Sequence, residues 1–207
     1  MDHQPAESQP LPLIRGHHVY LRAAERADIP LFTRWFNDQR VVRFLTMDAP
    51  FSTTAEEAWF DRLQGIQGRS VYHFVICLRR DEQPIGTVGL HDVDLKQGNA
   101  EVGIEIGEPA NWGRGYGTDA MRAMLDFGFG ALRLERIQLY VYAFNARARR
   151  SYEKVGFVLE GTLRKALYRN GERHDLHLMS ILREEWVANA RQRSWEIDDR
   201  EPPVVET

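Results

Sequence analysis

Residues 108–128, "EPANWGRGYGTDAMRAMLDFG", set Gly113, Gly115 and Gly117 in alternation, with Arg114 among them, where a strand-like pattern gives way to a helical one. Glycine lets a backbone turn with φ > 0 and lets a ligand come close to the amides. The first turn of a helix leaves about four amide donors unpaired, at the positive end of the helix dipole. Trp112, Gly113, Arg114, Gly115, Tyr116, Gly117 and Thr118 therefore read as a seat for a phosphate-like anion, with Arg114 as a fixed positive charge. The plain alternative is a tight turn, for which one glycine would suffice. Just upstream, "NAEVGIEIGE" places Glu101, Gly103 and Glu105 on one strand face and Val102, Ile104 and Ile106 on the other. Two carboxylates flanking a glycine suit general-base work on an amine, although a solvated strand face has the same pattern.

The anion is narrowed by exclusion. A Walker loop requires G-x-x-x-x-G-K-[ST], which is absent here, and "GRGYGT" lacks the third spacing of a dinucleotide fingerprint. An acid does follow about 20 residues on, at Glu135, but a dinucleotide fold demands a parallel sheet. The turn "KQGN" between "QPIGTVGLHDVD" and "AEVGIEIG" is instead a hairpin signal.

The elements that must position these groups alternate along the chain. "HHVYLRAA" reads as a strand, and "RADIPLFTRWFND" as a helix with Ile29, Phe32, Trp35 and Phe36 on one face. "STTAEEAWFDRLQGI" opens with helix-start residues at Ser52 to Thr54 and acids at Glu56 and Glu57. Three strands follow: "SVYHFVICLR", "QPIGTVGLHDVD" and "AEVGIEIG". The helix "TDAMRAMLDFGFG" leads to the strand "RIQLYVYAFN", whose Ile137, Leu139, Val141 and Ala143 share a face. Asn145 caps the helix "NARARRSYEKVGF", in which Ala148, Tyr152 and Val155 line one side. A closing hairpin runs from "FVLEGTLRKALY" through "RNG" to "ERHDLHLMSIL". The order implies an α/β (α+β) mixed sheet of about seven mostly antiparallel strands flanked by helices.

Composition bounds the function. The chain has 207 residues, 43% hydrophobic and 28% charged, with a net charge of −3. That is one sizeable domain, and it argues against nucleic acid held on a broad basic patch. Residues 1–13 and 191–207 read as a flexible N-terminal arm and C-terminal tail around a domain over 14–190. The N-terminus lacks the basic and apolar regions of a signal peptide, and no apolar run approaches the roughly 18 residues of a membrane span. A cytoplasmic enzyme is the expectation, with no membrane partner. The single cysteine, Cys77, sits in "VYHFVICL" as a core residue and excludes an intrachain disulfide. The seven histidines carry no HExxH spacing, no CxxC is present, and no metal is expected.

At this point the sequence resembles the GNAT N-acetyltransferases, over roughly residues 17–187. In that family a strand leads into R/Q-x-x-G-x-G/A, whose amides hold the pyrophosphate of acetyl-CoA; here "WGRGYG" fills the place, with Trp112 where Arg or Gln is usual. "NARARRSYEKVGF" matches the family's Asn and its Tyr before Glu-Lys-x-Gly-Phe. The closing "YRNGERHDLHLMSILREEW" looks like the branch holding ribosomal-protein N-terminal and spermidine acetyltransferases. The resemblance implies acetyl-CoA as co-substrate and direct attack by an amine in a ternary complex. Ile104, Glu105 and Ile106 would hold the pantetheine arm, one of their amides polarising the acetyl carbonyl, and Asn145 would also reach the pantetheine. Tyr152 would be the general acid for the departing thiolate, and Arg149 or Arg150 could approach the 3′-phosphate. For the base, Glu101 comes first and Glu105 second. The acceptor stays open between a protein N-terminus, a polyamine and another small amine, with Asp38, Asp48, Glu56 and Glu57 as cation-holding candidates and Trp35, Phe36, Phe44 and Trp59 as apolar ones. An acyl-CoA-binding module without transfer, and a homodimer, also stay open.

Overall fold

A computed structural model describes residues 14–46 and 50–198. The expected N-terminal arm, residues 1–13, lies outside them, as does Asp48. The strands are β1 (Ile14–Arg15), β2 (Val19–Ala23), β3 (Tyr72–Leu78), β4 (Pro84–Asp94), β5 (Asn99–Ile106), β6 (Arg136–Tyr142), β7 (Val158–Arg169) and β8 (Glu172–Leu182). The helices are α1 (Ile29–Trp35), α2 (Gln39–Val42), α3 (Thr53–Ile66), α4 (Tyr116–Asp126), α5 (Ala146–Val155) and α6 (Arg183–Ala188). The strands form one sheet, ordered β1-β2-β3-β4-β5-β6-β8-β7. It has one strand more than the seven expected, because the two-residue β1 pairs with β2. Among the described residues no helix is long and apolar enough to cross a membrane.

The sheet is covered on both faces. On one, Val19, Leu21, Ile76, Val88, Leu90 and Val102 form a core with Ala120, Met121, Met124 and Leu125 of α4. On the other, Phe32, Trp35, Phe36 and Phe60 pack on Val75 and Cys77. The alternation within each strand sends successive side chains to these two cores. Trp35 and Phe36 are thereby core residues, not a lining for the acceptor. Gly107 serves this packing too, since a Cβ there would stand 2.2 Å from the Trp35 ring.

Two features place the site. β5 and β6 are parallel, and they pair only from Asn99–Glu101 to Arg136–Gln138. Beyond Glu101 the strands diverge and leave a wedge in the sheet. The start of α4 is pinned beside that wedge by Asp119, buried in its first turn, whose carboxylate accepts from the amides of His17 (3.0 Å), His18 (2.7 Å) and Val19 (3.1 Å). Gly16 is required in this junction, because a Cβ would stand 2.4 Å from the same carboxylate.

The C-terminal tail expected from residue 191 needs correction. Residues 191–198 lie against the domain because Asp126, 1% exposed, requires compensation. Arg191 donates to it twice (2.9 and 2.5 Å), and the Ser194 amide once (2.8 Å). Ile197 is buried, and Trp195 sits on Trp186 with ring centroids 6.4 Å apart. Residues 199–207 lie outside the described ones.

Candidate active site

A cavity of about 560 Å³ fills the wedge between β5 and β6 and extends to the starts of α4 and α5. At the start of α4, Gly113 and Gly115 have φ of +76° and +81°, the left-handed region that glycine enters without strain. Gly115 is the N-cap, and a Cβ on either glycine would meet nothing within 4 Å. The following amides of Tyr116, Gly117 and Thr118 have no acceptor among the described residues. Open space and unpaired donors thus face the same cleft, as an anion seat demands.

Trp112 holds the cradle in a way its identity alone did not suggest. Its Nε1 donates to the Ile106 carbonyl (2.7 Å), which ties the glycine turn to the end of β5. The Arg147 guanidinium lies 4.2 Å over its ring and 5.5 Å from that of Phe44. Arg147 has no anionic partner among the described residues, and burial lowers its pKa. It sits in the first turn of α5, where the helix dipole disfavours a cation. Arg114, the residue expected to supply that charge, is exposed and outside the cavity wall. Arg149 is engaged with Glu153 (2.8 Å), while Arg150 lines the cavity.

The other candidates converge. Glu101, Ile104, Glu105, Ile106, Asn145 and Tyr152 all line the cavity. The Asn145 Oδ1 accepts from the Ala148 amide (3.2 Å), so it is the cap of α5. Tyr152 packs on Phe157, and the Thr118 and Ser151 hydroxyls, 2.6 Å apart, lock α4 to α5 beside it. Burial, and then the Glu105 charge, push the Tyr152 phenol up to about 12. Among the described residues Glu105 has one side-chain hydrogen-bond partner, the Thr87 hydroxyl across the ladder. Burial pushes its carboxyl up to about 8 against the pull of that hydrogen bond. Glu101 is raised by burial and by Asp92.

The N-terminal helices do less than their composition suggested. Asp38 caps α2 and pairs with Arg40 (2.5 Å), Glu57 is exposed, and Glu56 is buried beside Phe60 and Leu63. Arg147 lines this site, Thr87 and His91 touch its wall at Glu105 and Gly103, and His73 lies one strand behind; none of the four was singled out. Thr87, His91 and His73 share the sheet face of Glu101 and Glu105 through the β3–β4–β5 register.

A family model for the acetyltransferase (GNAT) domain matches residues 18–158. The uncharacterized N-acetyltransferase p20 of Bacillus licheniformis is 28% identical over 171 residues, 81% of this chain and 94% of that protein. The spermidine N(1)-acetyltransferase of Vibrio cholerae is 30% identical over 174 residues, covering 81% and 94%. A crystal structure of spermidine N-acetyltransferase from Vibrio cholerae, in complex with CoA and spermine, superposes with a TM-score of 0.76 at 28% identity, covering 82% of this chain and 98% of that one. The chain belongs to the GNAT acetyltransferase family, whose acetyl donor is acetyl-CoA.

Proposed function

With the chain a GNAT N-acetyltransferase, we propose that it moves the acetyl group of acetyl-CoA directly to a primary amine of a small, polyamine-like acceptor. The observation that carries this is one cavity in which Glu105, Tyr152 and the open amides of α4 meet where β5 leaves β6. The amides of residues 113–118 receive the pyrophosphate, and Arg147 supplies the positive charge that Trp112 cannot. The pantetheine arm follows the free edge of β5 past Ile104 and Ile106, with Asn145 on its other side. The amine resembles those of the Vibrio cholerae relative, whose structure holds spermine.

The chemistry follows from the two perturbed groups. An alkylammonium has a pKa of about 10.4 and must lose a proton before it can attack. A carboxylate at the ordinary pKa of 4.5 is a weak partner for that transfer, and one at about 8 is far closer in proton affinity. Glu105 is therefore the base, in preference to Glu101. The freed nitrogen attacks the thioester carbonyl, forming the C–N bond, and a β5 amide steadies the oxygen as charge gathers on it. Collapse breaks the C–S bond, and the thiolate takes the Tyr152 proton. The proton that Glu105 took from the amine then returns to the tyrosinate, and the acylated nitrogen sheds its second proton to solvent as the amide forms. Taking that proton also neutralises Glu105, which removes the charge that held the Tyr152 phenol up.

Thiol release from acetyl-CoA with monoamines, diamines, polyamines, amino acids and peptides is the test. Turnover is expected with small alkylamines, and Tyr152→Phe should lower kcat while CoA affinity by calorimetry stays intact. Absence of turnover with every amine would end the proposal, and turnover confined to peptides would move the acceptor to protein N-termini.

A further inference from the structure

We infer that His73 and His91 form a hydrogen-bonding station for the far end of the acceptor, an ammonium group carried on an alkyl chain away from the amine that is acetylated. The inference rests on the proposed small-amine acceptor. Its starting point is His73, 7% exposed, neither of whose ring nitrogens has a hydrogen-bond partner among the described residues. A buried polar group without a partner is costly, and imidazole always has at least one N–H to place. Packing does not call for a polar ring here. The surroundings are aromatic: Trp59 with centroids 5.1 Å away, Phe32 at 6.4 Å and the His91 ring at 6.4 Å.

The sheet register shows where this group points. Thr87 faces Glu105, Gly89 faces Gly103 and His91 faces Glu101, while His73 faces Gly89 from the next strand. All of these lie on one face. The two glycines let imidazole rings lie close over the strands. The His73 Nδ1 and the His91 Nε2 are each 3.2 Å from where a Cβ on Gly89 would stand. The His91 Nε2 is 3.6 Å from that of Gly103, a residue of the cavity wall. His91 therefore lies against the cavity wall at Gly103, and His73 lies one strand further from the cavity, beside it.

Burial holds His73 down to about 3, so its ring is neutral at neutral pH and carries one lone pair beside one N–H. Burial lowers His91 as well, against the pull of Asp92. The nearby cation on the same face, Arg22, is taken up by Asp28 (2.7 Å). The imidazole lone pair can accept an N–H of an ammonium group, and the Trp59 and Phe32 rings offer a wall for methylene groups. Ordinary sheet spacings put the Cα atoms of Glu105 and His73 about 12 Å apart, the span of an extended aminoalkyl chain.

The experiment compares acceptors on wild type and on His73→Phe, which keeps a planar ring and deletes both nitrogens. Expected are a higher melting temperature, an unchanged KM for acetyl-CoA, and a fall of about tenfold or more in kcat/KM for putrescine and spermidine with butylamine unaffected. His91→Phe should show the same selective loss and keeps the test open if His73→Phe does not fold. Higher stability with unchanged kinetics would mean that His73 holds only a buried water, and would overturn the inference. Equal losses for butylamine and the diamines would do the same, as would a wild type that uses butylamine as well as putrescine. A wild type that releases thiol with no amine defeats the proposed function itself, and that result does not depend on the variants.

Discussion

Asp126 and Glu105 are both carboxylates enclosed by this protein, and they are furnished in opposite ways. Asp126, at the end of α4, accepts from the Trp186 indole (2.9 Å), twice from Arg191 (2.9 and 2.5 Å) and from the Ser194 amide (2.8 Å), with Arg193 at 3.8 Å. Among the described residues Glu105 has the Thr87 hydroxyl as its one side-chain hydrogen-bond partner, and its carboxyl is pushed up to about 8. A saturated carboxylate fixes a structure; an undersupplied one holds or releases a proton as its surroundings change. The first clasps the C-terminal segment to the domain, and the second faces the cavity.

Substitutions at the two positions should separate stability from turnover. Asp126→Asn leaves Arg191 and Arg193 without their counter-charge, a loss of about 3–5 kcal/mol for a broken buried pair, read by urea denaturation. Glu105→Gln should lower kcat about 10²- to 10⁴-fold, the usual range for a general base, with little change in the KM for acetyl-CoA. If Glu105→Gln instead unfolds the protein and keeps its specific activity, the contrast is broken.

pH sharpens the comparison. The folded-state pKa of Glu105, about 8, lies above its ordinary 4.5, so the native protein binds the extra proton between those values. Its stabilising contribution is complete below 4.5 and is lost as pH rises through about 8. Activity moves the other way, since the base form grows as pH approaches and passes 8. Glu105→Gln should flatten both profiles, which thermal melts and a pH–rate series would check. The smallest effect belongs to Arg147→Ala: a rise of about five- to tenfold in the KM for acetyl-CoA, equivalent to roughly 1–1.4 kcal/mol, with kcat nearly unchanged. Trp112→Arg on that background should recover part of the loss.

What was legible in the sequence was local. The glycine turn, the Asn145 cap and Tyr152 each lie within one element or its boundary, and their spacing carries their geometry. The hairpin "KQGN" and the closing hairpin gave the antiparallel character of the sheet for the same reason. Residues that meet only through strand register were not legible. His73, Thr87 and Glu105 sit on three strands, and period-2 alternation does not say which strand lies beside which. The C-terminal clasp was hidden by distance and composition. Asp126 lies 60 residues or more from Trp186, Arg191 and Ser194, and charged residues near a proline-bearing end look solvated until their partner is known. Gly107, next to the glycine-rich turn, packs on the Trp35 ring, a contact that sequence spacing does not show.

The divergence of β5 from β6 does more than make room. It opens the sheet from one side to the other. The α4 side presents the amides that receive the nucleotide, while Val41, Phe44 and Leu45 meet the same cavity from the side of the N-terminal helices. Under the proposed reading, donor and acceptor come to the junction through separate doors and touch only at the carbonyl. Neither has to leave before the other can enter, and a change in the acceptor doorway can retune which amine is used without disturbing how CoA is held.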